Sequence, residues 1–347
     1  MLAVRIGRSM LVTTGALLAV GALVTGCSSG SAGDSTQPTN ASVEGNTEEG
    51  ETVVVGFSGP AADHGWLGAI NAAATAEAEQ YGDIDFRVAE GTNDANLQIS
   101  QVEQFINDGV DAIVLLPTDG AALTAVATKA MEAGIPVVNV DREFSSPAAA
   151  RTTILGDNYG MGQSAGNYIC EQMSDTPDAV VAEVAGIDSL PLTQDRSQGF
   201  ADALESCGLD VDNRVAADFT VQGGEAATSQ LLAAAPEIDA LWNHDDDQGI
   251  GVLSAIDNAG RDEFIMVGGG GSANAMREIQ SGESVLQATV IYPSTQAADG
   301  VRLARLIAQD KAMSDLVEVE VPKRIVLNAP VVTSENVEEY LPTAFES

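Results

Sequence analysis

Two consecutive doubly wound α/β units, each a parallel-sheet lobe, are the expected architecture of this chain. Short continuous Val/Ile/Leu runs recur, Ala-rich helical stretches alternate with them, and the cycle restarts after Gly156-Asp157-Asn158. Runs that are apolar throughout, rather than at every second residue, belong to strands covered by helices on both faces. The 347 residues fit two domains at roughly 100–200 residues each. A 45% hydrophobic composition fills a sizeable core and excludes global disorder.

The first unit opens with Val53-Val54-Val55-Gly56-Phe57, a buried-strand run. An Ala-rich helix is expected over 66–81, a strand at 86–88, a helix near 97–107 and a strand over 112–116. A helix over 121–133 is stopped by Gly134 and Pro136, and the strand 137–140 follows. The second unit reads as helix 161–173, strand 179–184, helix 193–205, strand 215–219, helix 225–235 and strand 238–242. It continues with helix 250–259, strand 264–267, helix 273–280, strand 285–291 and helix 295–309, and ends on short apolar runs at 317–321 and 325–327.

Ahead of these units, Arg5 and Arg8 precede an apolar run from Met10 to Val24, the layout of a secretory signal too short for a membrane span. Leu23-Val24-Thr25-Gly26-Cys27 resembles the bacterial lipobox, which implies a leader over 1–26 and a lipid-modified Cys27. An ordinary secretory signal with an incidental Cys is the alternative. Residues 27–51 carry Ser, Gly, Thr, Asn and Glu with almost nothing to bury, so a flexible tether is expected. Fifteen Lys+Arg stand against 51 Asp+Glu, a net charge of −36, and loss of the leader makes the chain two charges more negative. Such a balance argues against nucleic acid and against anionic lipid surfaces. Three Cys exclude a disulfide-dense scaffold and a Cys-rich metal cluster.

Doubly wound sheets bind ligands beyond the carboxyl ends of their strands. There the sequence places Asp63-His64-Gly65-Trp66, Asp141-Arg142, Phe219, His244-Asp245-Asp246-Asp247, Gly268 to Gly271, and Tyr292-Pro293, with Arg196 opening a helix. Rings offer flat apolar faces, carboxylates accept and Arg donates, a set that matches vicinal hydroxyls. The glycine run lacks the Gly-Lys-[Ser/Thr] ending of a phosphate loop, so a backbone wall beside a neutral ligand is expected at Gly270. Helix capping accounts for Asp246 or Asp247, leaving Asp245 for the ligand. His64 and His244 lack metal-ligand spacing, so no metal and no cofactor are expected, and both histidines are assigned to hydroxyls. No nucleophile constellation is evident, so no catalytic residue is assigned.

In order along the chain, the lipobox, Val53 to Phe57, Val140-Asp141-Arg142, Gly156-Asp157-Asn158, Arg196-Ser197-Gln198-Gly199-Phe200, the Asn243 to Gln248 turn and Thr289 to Pro293 resemble a ribose-type periplasmic sugar-binding protein, the solute receptor of an ABC importer. The resemblance covers residues 52–330 and implies the type I periplasmic binding protein fold, two lobes joined by three hinge crossovers. It divides the chain into 52–157 plus 292–326 and 158–291 plus 327–347, with hinges near Asp157-Asn158, Tyr292-Pro293 and Leu327-Asn328. It implies a ligand site of Asp63, His64, Trp66, Asp141, Arg142, Arg196, Phe219, Asp245, Gly270 and Tyr292. Leu67 replaces the second ring of the family's aromatic pair, and Gly270 replaces a ligand-binding Asp.

The implied function is capture of a neutral monosaccharide or sugar alcohol by hinge closure and delivery to an ABC permease. The protein would act as a monomer without enzymatic activity, lipid-anchored on the extracytoplasmic face of the cell membrane. A receptor for signalling, of an autoinducer or a sugar, and an exported carbohydrate-active enzyme are the alternatives. Cys170 and Cys207 each end a helix of the second lobe and form either a disulfide or two buried thiols.

Overall fold

A computed structural model describes residues 48–311, 313 and 321–346. The leader at 1–26, Cys27, the tether up to residue 47 and most of the apolar run at 317–321 lie outside the described residues. The first lobe begins β1 (Val53–Ser58), α1 (Gly65–Ala78), β2 (Ile84–Val88), α2 (Ala95–Asp108), β3 (Ala112–Leu115), α3 (Gly120–Glu132), β4 (Val137–Val140) and β5 (Thr152–Gly156). The second lobe holds α4 (Asn158–Gln172), β6 (Val181–Ala185), α5 (Pro191–Ser206), β7 (Val211–Ala216), α6 (Val221–Ala234), β8 (Ala240–Asn243), α7 (Asp246–Ala259), β9 (Ile265–Gly270), α8 (Ala273–Ser281) and β10 (Leu286–Ile291). Then follow α9 (Gln296–Ala308), β11 (Arg324–Leu327), β12 (Val331–Thr333) and α10 (Val337–Tyr340).

These strands form two six-stranded sheets, β11-β5-β4-β3-β1-β2 and β12-β10-β9-β8-β6-β7. The two orders are equivalent, each doubly wound about its first strand, as two copies of one unit require. Every pairing is parallel except β10 with β12. The strands β3, β4 and β8 are buried throughout, because helices cover both faces.

The chain passes between the sheets three times. From β5 of the first sheet it enters α4, which packs on α5 and the second sheet. From β10 of the second sheet it enters α9, which packs on α1, β3 and β4. From β11 it crosses to β12. The three passages run beside Asp157-Asn158, Tyr292-Pro293 and Leu327-Asn328, and Asp157 N–H donates to Leu327 O at 2.9 Å.

Several expectations are corrected. β5 was not expected as a strand. The strand expected at 215–219 is β7, which ends at Ala216, so Phe219 lies in the loop beyond it with φ 67°. Helix α5 begins at Pro191, and Arg196 therefore sits inside the helix rather than opening it. Most of Gly268 to Gly271 belongs to β9, and Ser272 caps α8.

Nor does the tether run free to residue 51. Gly50 N–H donates to Asp83 at 2.6 Å, Arg305 and Lys311 donate to Glu48 O at 2.7 and 3.0 Å, and Gln309 donates to Glu51 O at 2.7 Å. The buried Arg305–Asp83 pair, at 2.6 Å, anchors this clamp at the amino-terminal end of β2.

Cys170 of α4 and Cys207 at the end of α5 are joined as a disulfide with their Cα atoms 6.0 Å apart. No helix among the described residues is long and apolar enough to cross a membrane.

Candidate functional site

Between the lobes, beyond the carboxyl ends of the strands, lies a cavity of about 30 Å³. It is lined by His64, Trp66, Asp141 and Arg142 of the first lobe, by Leu192, Arg196, Phe219, His244, Asp245 and Gly270 of the second, and by Tyr292 at a crossover. A wider cleft of about 430 Å³ adjoins it and shares Asp141, Arg142 and Leu192. A larger groove, about 840 Å³, opens on the second lobe at the start of β10, away from the strand ends where doubly wound sheets bind ligands.

His64 caps α1, and its Nδ1 accepts the Leu67 N–H at 3.3 Å. That bond needs an unprotonated Nδ1, whereas a protonated one turns to the Asp247 carboxylate at 3.6 Å. Burial alone would lower the His64 pKa, but the contact with Asp247 and the charges of Asp245, Asp247 and Asp63 carry it above its ordinary value. Trp66 is buried in the first turn of α1. Its backbone N–H crosses the cleft to Asp247 at 2.9 Å, and its indole Nε1 donates to Tyr292 O at 3.0 Å. Asp247 thus latches one lobe to the other, a role the sequence reading did not give it.

Asp141 follows β4 with φ 64°, which turns its buried carboxylate into the cleft. Tyr292 donates its phenol to Asp141 at 2.5 Å. Arg142 Nε lies 3.7 Å from Asp141, and the guanidinium donates to Thr118 O at 2.8 Å, so Arg142 also ties the β3 loop to the site. Arg196 donates to Asn158 at 2.9 Å and to His244 O at 3.1 Å. Its guanidinium carbon stands 4.4 Å from the Tyr292 ring centroid and 5.9 Å from that of Phe219, distances of cation–π contact.

The three aspartates at the start of α7 divide their labour differently from the expectation. Asp245, not Asp246 or Asp247, is the cap, accepting the Gln248 N–H at 3.0 Å, and it still lines the cavity. Asp246 accepts from the N–H groups of Gly269, Gly271 and Ser272 at 2.8–2.9 Å and from the Thr289 hydroxyl at 3.0 Å. Those donors of the glycine run are therefore taken by an internal carboxylate, which leaves Gly270 as a wall.

Burial pushes Asp245 up to about 6, from the ordinary 3.8. With the folded-state pKa raised, the native protein favours the neutral acid. Stability conferred by that preference is complete below pH 3.8 and is lost as pH rises through about 6. Asp245→Asn keeps a capping oxygen and removes the charge. It is expected to stabilise the protein at pH 7.5 by as much as about 3 kcal/mol and to leave it unchanged near pH 4. Urea denaturation at both pH values checks this, and an equal shift at both would contradict it.

His244 was expected to bond ligand hydroxyls, but its Nε2 is taken by a carboxylate of its own lobe. It is fully buried, stacked 4.1 Å from Trp242, and within 2.8 Å of Glu183. Glu183 also accepts from Ser197 at 2.5 Å and pairs with Arg214 at 3.2 Å. Burial would raise the Glu183 pKa, but these partners hold it below the ordinary value, and burial lowers that of His244. The pair is thus a carboxylate accepting from a neutral imidazole. Leu192 was missed; its signal was Pro191, a first-turn proline that starts the helix earlier.

Asp63 is the expected residue that the cavity does not include. Its carboxylate is half-exposed at the rim and accepts from Asn93 at 2.8 Å. Leu67 is packed in the core instead of lining the cavity. No cluster of three or more His, Cys, Asp or Glu placed to hold a metal occurs among the described residues.

A family model described as periplasmic binding protein domain matches residues 55–312. The ribose import binding protein of Bacillus subtilis (strain 168) is 31% identical over 221 residues, 62% of this chain and 70% of the relative. The galactofuranose-binding protein of Escherichia coli (strain K12) is 30% identical over 214 residues, 60% of this chain and 67% of the relative. Among solved structures, an ABC transporter solute binding protein from Bacillus halodurans C-125 with bound myo-inositol superimposes with a TM-score of 0.75 at 25% identity, covering 84% of this chain and 98% of its own.

Proposed function

This chain belongs to the periplasmic binding protein domain family, and we propose that it captures a neutral monosaccharide or sugar alcohol between its lobes for an ABC importer. The observation that carries the reading is the composition of the interlobe cavity. Trp66, Phe219 and Tyr292 supply apolar faces, Asp141 and Asp245 accept, and Arg196 donates. A ring or carbon chain bearing hydroxyls on its edge satisfies all three kinds of group at once. The relatives named for ribose and galactofuranose, and the neighbour holding myo-inositol, support the same ligand class.

Capture proceeds by rotation about the three crossovers. Contacts from both lobes to one ligand exist only when the lobes are together, so the ligand shifts the population toward closure. The Trp66–Asp247 hydrogen bond adds a direct contact to the closed state. The closed lobes then present one composite surface to a membrane permease, with Cys27 as the lipid anchor on the extracytoplasmic face. No covalent step is required of any residue.

Calorimetric titration with pentoses, hexoses and polyols is the test, and a panel without any binder would overturn the reading. Asp141→Asn is expected to weaken the ligand found by ten- to a hundredfold, since hydrogen bonds to charged groups contribute about 1.5–3 kcal/mol. An unchanged affinity would remove Asp141 from the site.

A further inference from the structure

Tyr292 makes, inside the cavity, the contacts expected of a bound polyol. Its hydroxyl donates to Asp141 at 2.5 Å and accepts from Asn158 Nδ2 at 3.2 Å, the donor-and-acceptor pattern of a sugar hydroxyl. Its ring lies 5.3 Å from the Trp66 ring, and the Arg196 guanidinium carbon stands 4.4 Å from its centroid. The ring has a built seat, because a Cβ at Gly156 would come within 2.0 Å of it and expel it. Burial, then the charge of Asp141, push the phenol far above its ordinary pKa, so it remains a donor at every physiological pH.

With Tyr292 seated, the cavity measures about 30 Å³. The rest of the room lies in the adjoining cleft of about 430 Å³, which shares Asp141, Arg142 and Leu192 but does not include Trp66. A hexose ring needs the Trp66 face and the Asp141 carboxylate together, and Tyr292 holds both. An open chain of hydroxyl-bearing carbons needs no flat ring face and can reach the second Asp141 oxygen from the adjoining cleft.

We infer that Tyr292 is the size-determining residue of the site, an intramolecular occupant that reserves the cleft for compact open-chain polyols and excludes six-membered rings. The inference rests on the sugar-or-polyol reading above.

Calorimetric titration of the wild type, Tyr292→Ala and Tyr292→Phe with glycerol, erythritol, xylitol, D-glucose and myo-inositol tests it. The wild type is expected to bind an open-chain polyol at least tenfold more tightly than glucose or myo-inositol. Tyr292→Ala is expected to gain at least tenfold for the two rings. Tyr292→Phe, which keeps the ring and its packing, is expected to retain the exclusion, and it carries the test if the alanine variant does not fold. Wild-type binding of glucose or myo-inositol as tight as that of the polyols overturns the size limit and leaves the sugar-binding reading standing, as does a Phe variant that admits the rings. Failure of every protein to bind any member of the panel overturns the reading and the inference together.

Discussion

Alanine at position 66 is expected to cost about 3–5 kcal/mol of stability and to abolish ligand capture. Trp66 is 6% exposed, packed in the first-lobe core and against Tyr292. Truncation leaves a cavity between α1 and the crossover, and it removes the indole N–H that fixes the Tyr292 carbonyl at 3.0 Å. The backbone N–H that reaches Asp247 survives in the variant, so the interlobe latch is kept and the loss reports the indole that packs on Tyr292 and holds its carbonyl. Trp66→Phe restores a face without the N–H and is expected to recover most of the stability and part of the affinity. Denaturation midpoints and titration of the same three proteins check both halves. An alanine variant that binds within threefold of wild type would show that Trp66 is core and not wall.

Removal of the Cys170–Cys207 disulfide is expected to lower stability by about 4 kcal/mol, the chain entropy of freeing a loop of this size in the unfolded state. The bond closes a 37-residue loop that carries β6 and all of α5. In the folded state α4 and α5 are held by other means. A Cβ at Gly199 would stand 2.1 Å from Tyr159 O, so the two helix backbones touch at the turn that carries Arg196. The double Cys→Ser variant should therefore bind its ligand like the wild type below its unfolding transition while melting well below it. Equal melting temperatures for the two proteins under oxidising conditions would show that the crosslink contributes nothing. Weakened binding in a still-folded variant would show that the bond positions Arg196.

Much of this architecture is legible in the residues, and the departures have identifiable physical origins. β1, β3, β4 and β8 announce themselves because burial on both faces demands continuous apolar runs. β7 is an edge strand, Val211-Asp212-Asn213-Arg214-Val215-Ala216, whose exposure alternates, so it offers no continuous apolar run and only its end at Val215 resembles a buried strand. β5 begins on Thr152-Thr153, which leaves only Ile154-Leu155 as an apolar run. β12 has three residues and pairs antiparallel, outside the βα rhythm.

The cavity residues were recoverable because they follow strand ends, and that position needs no knowledge of side-chain direction. What each one touches was not recoverable. Asp245, Asp246 and Asp247 are chemically identical neighbours, and only the start of α7 makes one a cap, one a tie to β9 and β10, and one a latch to the other lobe. Asp63 shares a loop with His64 and Trp66, yet Asn93 draws it to the rim. Tyr292 could be read as a wall from sequence, but its seat over Gly156 depends on a contact 136 positions apart along the chain (292 minus 156).

The clamp on residues 48–51 has a mechanical consequence. Glu48, Gly50 and Glu51 are fastened to Asp83, Arg305, Gln309 and Lys311 at the amino-terminal edge of the first sheet, and the cleft lies at the opposite edge. A pull transmitted through the segment upstream of Glu48 is borne by β2 and α9, and none of the three crossovers lies in the path of that load. If the anchor proposed at Cys27 holds, the lobes can swing without straining it, and drag on it leaves the grip of the cleft unaltered.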